Sequence, residues 1–249
     1  MIIPHFFHYF SLYTILTIVT NFIICYIINR GDLIKRYKKG IETRNNIINA
    51  SKSLFYLQGF DHTTVQKIAD LASVNLGLLS YYFKTKNNII KIIFTEFYES
   101  IDSIVCDVCD KEEHLILFFM AKERIAYDII FKDPNNLRFF KETIHKNVVV
   151  KIMEEYTLNN YLTINKETGK NIDERFVKCY AVLENGGAVN IIKKFFANEI
   201  QIDYENLADI LIGCTPRLFS VEGNIIEDYI LKSKELQKKV DYSKVKLLI

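Results

Sequence analysis

Apolar residues recur at three- and four-residue spacing through most of this chain, the period of an amphipathic helix, and no strand-like alternation is evident. The first such segment runs from Ile41 to Leu57. It gathers Ile47, Ile48, Ala50, Ser51, Leu54, Phe55 and Leu57 on one face and leaves Arg44, Asn45, Asn49 and Lys52 on others. Gln58-Gly59-Phe60 ends it, with Gly59 suited to a left-handed C-cap and Phe60 to a buried plug behind it. Thr63 or Thr64 then offers an N-cap hydroxyl to a short helix, Val65 to Leu71, and Ser73-Val74-Asn75 reads as a turn plus a second N-cap before a helix from Leu76 to Phe83. Val65, Ile68, Leu79 and Phe83 are expected in the core, with Ala69 and Leu71 or Ala72 also facing inward. Two short helices across a tight turn form a helix-turn-helix, the layout that sets its second helix in the major groove of duplex DNA.

From Asn87 the pattern is nearly unbroken helix. Segments 89–108, 112–131, 134–160, 173–197, 204–219 and 222–239 are separated by Asp133-Pro134, Thr168-Gly169, residues 198–203 and Val221-Glu222-Gly223. Only 9 Gly and 3 Pro punctuate the chain, and 49% hydrophobic content fills a substantial core. The pattern predicts an all-α protein. A DNA-reading domain over 38–90, with its helix-turn-helix at about 64–83, precedes a larger helical domain over 91–249.

Charge sharpens this division. The formal net charge is only +2, yet residues 33–91 hold ten Lys or Arg (35, 36, 38, 39, 44, 52, 67, 84, 86, 91) against three acids (42, 61, 70), a local excess of about +7. Residues 1–32 cancel, so the rear carries about −5. The basic front suits a polyanion.

Residues 5–28 carry no Lys, Arg, Asp or Glu and have the length of a bilayer-spanning helix, followed by Lys35, Arg36, Lys38 and Lys39. Three readings stand for residues 1–30: a membrane anchor holding the rest at the inner face of the cytoplasmic membrane, translated upstream DNA ahead of an alternative start at Leu33, or a helix packed on the protein. A cleaved signal peptide is not expected, because the segment lacks a basic start and a small-x-small site. Without a translated anchor the expected location is the cytoplasm.

The strings T-R-x-x-I-I-x-A at 43–50, L-F-x-x-x-G-F at 54–60, T-T-V-x-x-I-A-x-x-A-x-V-N-x-G at 63–77 and Y-Y-F-K-x-K at 81–86 closely resemble the N-terminal domain of TetR-family transcriptional regulators. The resemblance implies an N-terminal three-helix DNA-binding domain, an all-helical homodimer, and a palindromic double-stranded operator of which each subunit reads half. Carried over by position, Arg44, Thr64 and Lys86 match residues that often touch the phosphate backbone, and Tyr82 matches a phosphate-binding His or Tyr. Asn75, Leu76, Leu78 and Tyr81 fall on the recognition helix, and Gly77 lets that helix approach closely. Ser80 departs from the more frequent Tyr, so the contact made there shifts to Tyr81. Apolar Leu76 and Leu78 read thymine methyl groups better than guanine edges, which points to an A·T-rich operator with specificity partly from shape.

Beyond residue 91 the resemblance is one of architecture. It implies a small-molecule effector, which the aromatic content makes lipophilic, and a ligand-responsive repressor. Expected pocket residues are Phe118, Phe119, Tyr127, Phe139, Phe140, Phe176 and Tyr180, with ordinary core as the alternative for each. The dimer seam is expected on 173–197 and 204–219, where Gly186-Gly187 allows close helix contact. A membrane-anchored regulator or interaction protein answering another signal is the second functional reading.

No enzyme is expected. The chain contains no glycine-rich phosphate loop, no H-E-x-x-H and no G-x-S-x-G, and its five His make no catalytic pattern. No cofactor is implied. Five Cys at 25, 106, 109, 179 and 214 form no disulfide framework, and Cys106-x-x-Cys109 near His114 lacks a second ligand pair, so no metal site is expected.

Overall fold

The computed structural model describes residue 35 and residues 37–249. The apolar segment 5–28 and its three readings lie outside them. Among the described residues no helix is long and apolar enough to cross a membrane, and there is no strand. The chain forms two compact units, Met1–Ile47 and Ile48–Ile249. In the first, residues 37–47 are helical, and Thr43 Oγ1 donates to the Lys39 carbonyl at 2.8 Å.

The second unit holds eleven described helices: α1 (48–58), α2 (Val65–Leu71), α3 (Leu76–Phe83), α4 (Lys86–Cys106), α5 (Leu115–Lys132), α6 (Pro134–His145), α7 (Val148–Glu167), α8 (Glu174–Phe196), α9 (Tyr204–Ile212), α10 (Cys214–Leu218) and α11 (Gly223–Lys239). Their starts follow local chemistry. Thr64, Asn75, Thr85, Asp133, Asp173 and Asp203 each occupy an N-cap and accept a hydrogen bond from a backbone N–H two or three residues ahead. Pro134 sits in the first turn of α6, where its missing N–H costs nothing.

One expected helix, 134–160, is two. Asn147 adopts left-handed geometry, φ 56°, and its Oδ1 accepts from Lys193 Nζ at 2.9 Å, so a contact with α8 holds the bend that separates α6 from α7. Likewise 204–219 divides at Gly213 into α9 and α10.

Helix α5 is the axle. It packs against α4, α6, α7, α9 and α11, and is buried on nearly every side. Three charged residues on it are enclosed, and each has a partner. Lys122 pairs with Asp102, Arg124 pairs with Asp209 and donates to Ser233 Oγ at 2.8 Å, and Asp128 accepts from Lys132 at 2.9 Å and Tyr242 at 2.8 Å. Pairing of this kind offsets the cost of taking charge out of water.

The expected boundary at 90/91 is not where the compact units divide. Helices α1 to α3 belong to the same unit as the rear helices, and α6 is fastened to α1. Phe139 stacks on Phe55 of α1, with centroids 5.1 Å apart, and lies 6.2 Å from Phe94 of α4. Tyr56 Oη donates to Asp133 at 3.0 Å, and Arg138 donates to the Tyr56 carbonyl at 2.6 Å.

Candidate nucleic-acid interface and effector cavity

The helix-turn-helix is built from its own sequence. Ile68 and Ala69 of α2 and Leu79 and Phe83 of α3 are buried, while Ala72 is small enough to stay half-buried at the turn. Val65 is a correction to the expected core: it is exposed, because α2 is only seven residues long and its inward arc takes Ile68 and Ala69; of the pair Leu71 or Ala72, Ala72 is the one turned inward and Leu71 is exposed. Leu57, assigned to the apolar face of the first helix, is exposed too.

Asn75, Leu76, Gly77, Leu78 and Tyr81 all lie on the exposed side of α3, with Tyr81 78% exposed. Asn75 Oδ1 accepts from the Leu78 N–H at 2.8 Å and so fixes the start of the helix. A Cβ at position 77 would meet that same oxygen at 3.3 Å, which explains why glycine suits the place. Tyr82 is half-buried and stands edge-on to Tyr81 with ring centroids 5.3 Å apart. Thr64 is exposed at the α2 N-terminus, and Arg44 lies on the helical segment of the first unit.

Lys86 differs from what the resemblance implies. Its ammonium donates to the carbonyls of Phe60 and Thr63, both at 2.8 Å, and sits 3.6 Å from the centre of the Phe60 ring. Burial lowers its pKa, with Asp61 pulling the other way. Two of its three donors therefore hold the loop between α1 and α2.

That loop has a second anchor. Glu142, on α6, accepts from the backbone N–H groups of Phe60 at 2.5 Å and Asp61 at 3.1 Å. Only the tertiary structure reveals it, since nothing in sequence spacing links Glu142 to a loop 81 residues earlier. Gly59 has φ +83°, and a Cβ there would lie 2.6 and 2.7 Å from the two Glu142 carboxylate oxygens. Gly59→Ala is expected to destabilise the protein by about 2–3 kcal/mol, combining the left-handed penalty with loss of the anchor. Thermal denaturation reads this directly, and an unchanged midpoint would show that the loop relaxes.

In the rear, α4, α5, α7, α8, α9 and α10 enclose a narrow cavity. Phe119 and Tyr127 line it. Phe118, Phe139 and Phe140 are fully buried and do not line it. Phe118 stands edge-on to Phe119, Phe139 joins α6 to α1, and Phe140 packs on Phe131 and Phe196. Phe176 is 58% exposed near the start of α8, and Tyr180 is half-buried outside the cavity lining. Helical spacing alone does not separate these cases, because a helix as enclosed as α5 presents aromatics to several neighbours at once.

The cavity also holds polar residues that the aromatic pattern did not suggest, namely Glu123, Glu184, Asn160, Asn185 and Thr215. Glu184 accepts from Thr215 Oγ1 at 3.1 and 3.2 Å and from Tyr161 Oη. Burial pushes Glu184 up to about 8, with the Thr215 bond opposing and the charge of Glu123 adding to it. Burial likewise pushes Glu123 up to about 7, against the pull of Lys122. Among the described residues no group of three or more His, Cys, Asp or Glu is placed to hold a metal ion.

An exposed capped helix after a tight turn, braced from behind and carrying polar and aromatic side chains outward, defines a helix-turn-helix DNA-binding protein on an all-helical scaffold. The model of the bacterial regulatory proteins of the tetR family matches residues 47–92, the stretch that carries the helix-turn-helix. The probable HTH-type transcriptional regulator YttP of Bacillus subtilis (strain 168) is 25% identical over 122 residues, which are 47% of this chain and 59% of that protein. The HTH-type transcriptional regulator QacR of Staphylococcus aureus is 25% identical over 193 residues, covering 77% of this chain and 93% of its own. The crystal structure of RolR in complex with resorcinol superposes with a TM-score of 0.55 at 16% identity, over 78% of this chain and 95% of RolR, and shares the fold. The family is one of transcriptional regulators and not of enzymes.

Proposed function

We propose that this chain is a ligand-responsive transcriptional repressor that binds a palindromic operator as a homodimer. The observation that carries the reading is the outward face of α3, where Asn75, Leu76, Leu78 and Tyr81 are exposed on a helix whose opposite side is locked by Leu79 and Phe83. In the groove, Asn75 and Tyr81 meet base edges and the two leucines meet thymine methyls, which favours an A·T-rich site. Arg44, Thr64 and Tyr82 meet phosphates, and Gly77 lets the helix start close to the duplex. Lys86 contributes its positive charge and one remaining donor from behind the loop it braces.

The test is a gel-retardation titration and footprint on the intergenic DNA beside the gene. Retardation should weaken steeply with salt, as expected when phosphate contacts dominate affinity. Asn75→Ala and Tyr81→Ala should each cost about 1–3 kcal/mol on the footprinted operator and much less on unrelated DNA. Equal losses on both would remove these residues from base reading, and no retardation at low salt would sink the proposal.

The dimer reading rests on α8. Phe176, Cys179, Val182, Leu183, Gly186 and Gly187 are all exposed at three- and four-residue spacing, and no atom lies within 4 Å of a Cβ built on either glycine. Such a stripe suits a second copy that presents the same face. Leu183→Glu, at a side chain 65% exposed, should leave folding intact and shift the protein to monomer in analytical ultracentrifugation, with loss of palindrome binding. A dimer that persists would move the seam elsewhere.

The repressor reading needs an effector that binds one arrangement of the two readers better than the other, since only differential affinity shifts a population. The cavity lined by α4, α5, α7, α8, α9 and α10 is the place for it.

A further inference from the structure

Building on the effector reading, the cavity's chemistry narrows the ligand. Its lining contains no Lys, Arg or His. Instead it presents acceptors. Asn185 is 4% exposed; its Nδ2 donates to the Val150 carbonyl at 3.3 Å, while its Oδ1 has no partner. The Tyr156 hydroxyl is buried as well, with the Asn160 side chain beside it. Glu123 makes no hydrogen bond among the described residues, whereas Glu184 is already held by Thr215 and Tyr161. Unmet acceptors beside a carboxylate are costly unless a donor enters.

A second, wider space adjoins the cavity across a common wall. The inner one is tight, about 50 Å³, room for a few water-sized bodies or one small polar head. A wider part of about 470 Å³ lies between α4, α5 and α7 and shares Tyr98, Phe119, Tyr156 and Asn160 with the inner one. Tyr98 and Tyr156 stack at 4.1 Å in this shared wall. An elongated molecule with a donor-rich head and an apolar body fits such a shape.

We propose that the inner cavity binds the ammonium head of an organic amine, with Glu123 as its counter-ion and Asn185 Oδ1 and the Tyr156 hydroxyl as further acceptors. An ammonium has three donors and no acceptor, so it satisfies all three groups at once. Glu184, pinned on the α8 side, adds negative potential only as it ionises, at about pH 8 and above. The hydrocarbon lies along Phe94, Phe119 and Ile152 of the wider part, whose rim also carries Lys91, Lys111 and Lys122; the Lys122 ammonium stands 4.9 Å from the Tyr156 ring, so the aromatic wall already faces one cation on that side.

Protonation follows from the setting. The titratable and charged groups around Glu123 and Glu184 are Tyr98 and Asp102 from α4, Lys122 and Tyr127 from α5, Tyr156 and Tyr161 from α7, and Cys214 from α10; α9 contributes only Leu211 and Ile212 to the lining. Lys122 is taken by Asp102 and is not a lining residue of the inner part. Because enclosure holds protons on the two carboxyls near neutrality, entry of an ammonium expels a proton, and amine affinity rises with pH between about 6 and 8.5.

Isothermal calorimetry on the full-length chain with a matched trio, n-hexylammonium, 1-hexanol and n-hexanoate, tests this. At pH 8 hexylammonium should bind at least tenfold tighter than either of the others, and at pH 6.5, where Glu123 still holds its proton, binding should release a proton, seen as a dependence of the heat on buffer ionisation enthalpy. Glu123→Gln should cut the preference over hexanol to below threefold while hexanol binding is retained. Equal binding of all three, tighter binding of hexanoate, absence of binding, or a preference that survives both Glu123→Gln and the Glu123→Gln/Glu184→Gln double variant overturns the proposal. Should a double variant fail to fold, the pH dependence of wild-type binding decides, and affinity that falls as pH rises overturns it. Gel retardation with the footprinted operator separates this from the repressor reading. Glu123-dependent binding that leaves the operator occupied keeps the ligand class and removes the effector role, and an unretarded operator removes the repressor without touching the calorimetry.

Discussion

Phe139→Ala is expected to lower the free energy of unfolding by about 3–5 kcal/mol, the range for removing a buried phenyl from a close-packed site. The ring is fully buried on α6, with Phe55 of α1 on one side and Phe94 of α4 on the other. Its loss leaves a void where three helices meet, and none can close in without moving Tyr56–Asp133 or Arg138–Tyr56, the polar ties beside it. Phe139→Leu fills part of the void and should cost less than half as much. The expected functional consequence is reduced operator affinity with unchanged sequence preference, because the brace behind the reader loosens while the outward face of α3 is untouched. Urea denaturation followed by far-ultraviolet circular dichroism measures the first effect and gel retardation the second. Phe176→Ala is the contrast: that ring is exposed, so monomer stability should stay within about 0.5 kcal/mol of the wild type. A small effect at Phe139 or a large one at Phe176 would invert this account of the rear domain.

The contrast between these two phenylalanines shows what the sequence can and cannot carry. Both lie on helical periodicity and both were expected near a pocket, yet one welds two helices and the other faces solvent. Local chemistry was legible wherever a residue acts on its own neighbours. Thr64 and Asn75 cap α2 and α3 because a short side-chain oxygen reaches an N–H two or three residues on, and that geometry needs nothing from the rest of the chain. Gly59 in a left-handed turn is legible for the same reason. The exposure of Val65 is not, because a seven-residue helix packed on one neighbour buries fewer of its apolar residues than its pattern offers. The break at Asn147 depends on Lys193, and the loop anchor depends on Glu142. Both partners are distant in sequence, so periodicity is silent about them. The inward turn of Lys86 belongs here too, since its carbonyl partners are set by the loop between α1 and α2. The acidic residues of the cavity went unnoticed because each is a lone polar position on a long helix, which reads as a solvated face until the neighbouring helices close over it.

Those acidic residues make stability depend on pH in a direction opposite to that of an ordinary paired carboxylate. In the folded protein burial raises Glu123 to about 7 and Glu184 to about 8 from the usual 4.5, so between about pH 4.5 and 8 the folded state holds more protons than the unfolded chain. The unfolding free energy therefore falls as pH rises through this window, being greatest below the unfolded value and lowest above the folded ones. With the two groups interacting and the cavity admitting some solvent screening, the loss from pH 5.5 to pH 8.5 is expected to be about 1–3 kcal/mol. Lys86 and Lys122, whose pKa values burial lowers, act in the opposite sense toward alkaline pH, so the wild-type slope alone understates the contribution. The difference between wild type and Glu123→Gln isolates it. Gln has the same shape and no proton to lose, and Glu123 makes no hydrogen bond among the described residues, so the substitution should leave stability nearly unchanged at pH 5.5 and raise it at pH 8.5. Urea midpoints at pH 5.5, 7 and 8.5 for the two proteins measure the effect. Parallel curves would mean that Glu123 is ionised and solvated in the folded state, and the cavity would then be open to water instead of closed around its carboxyls.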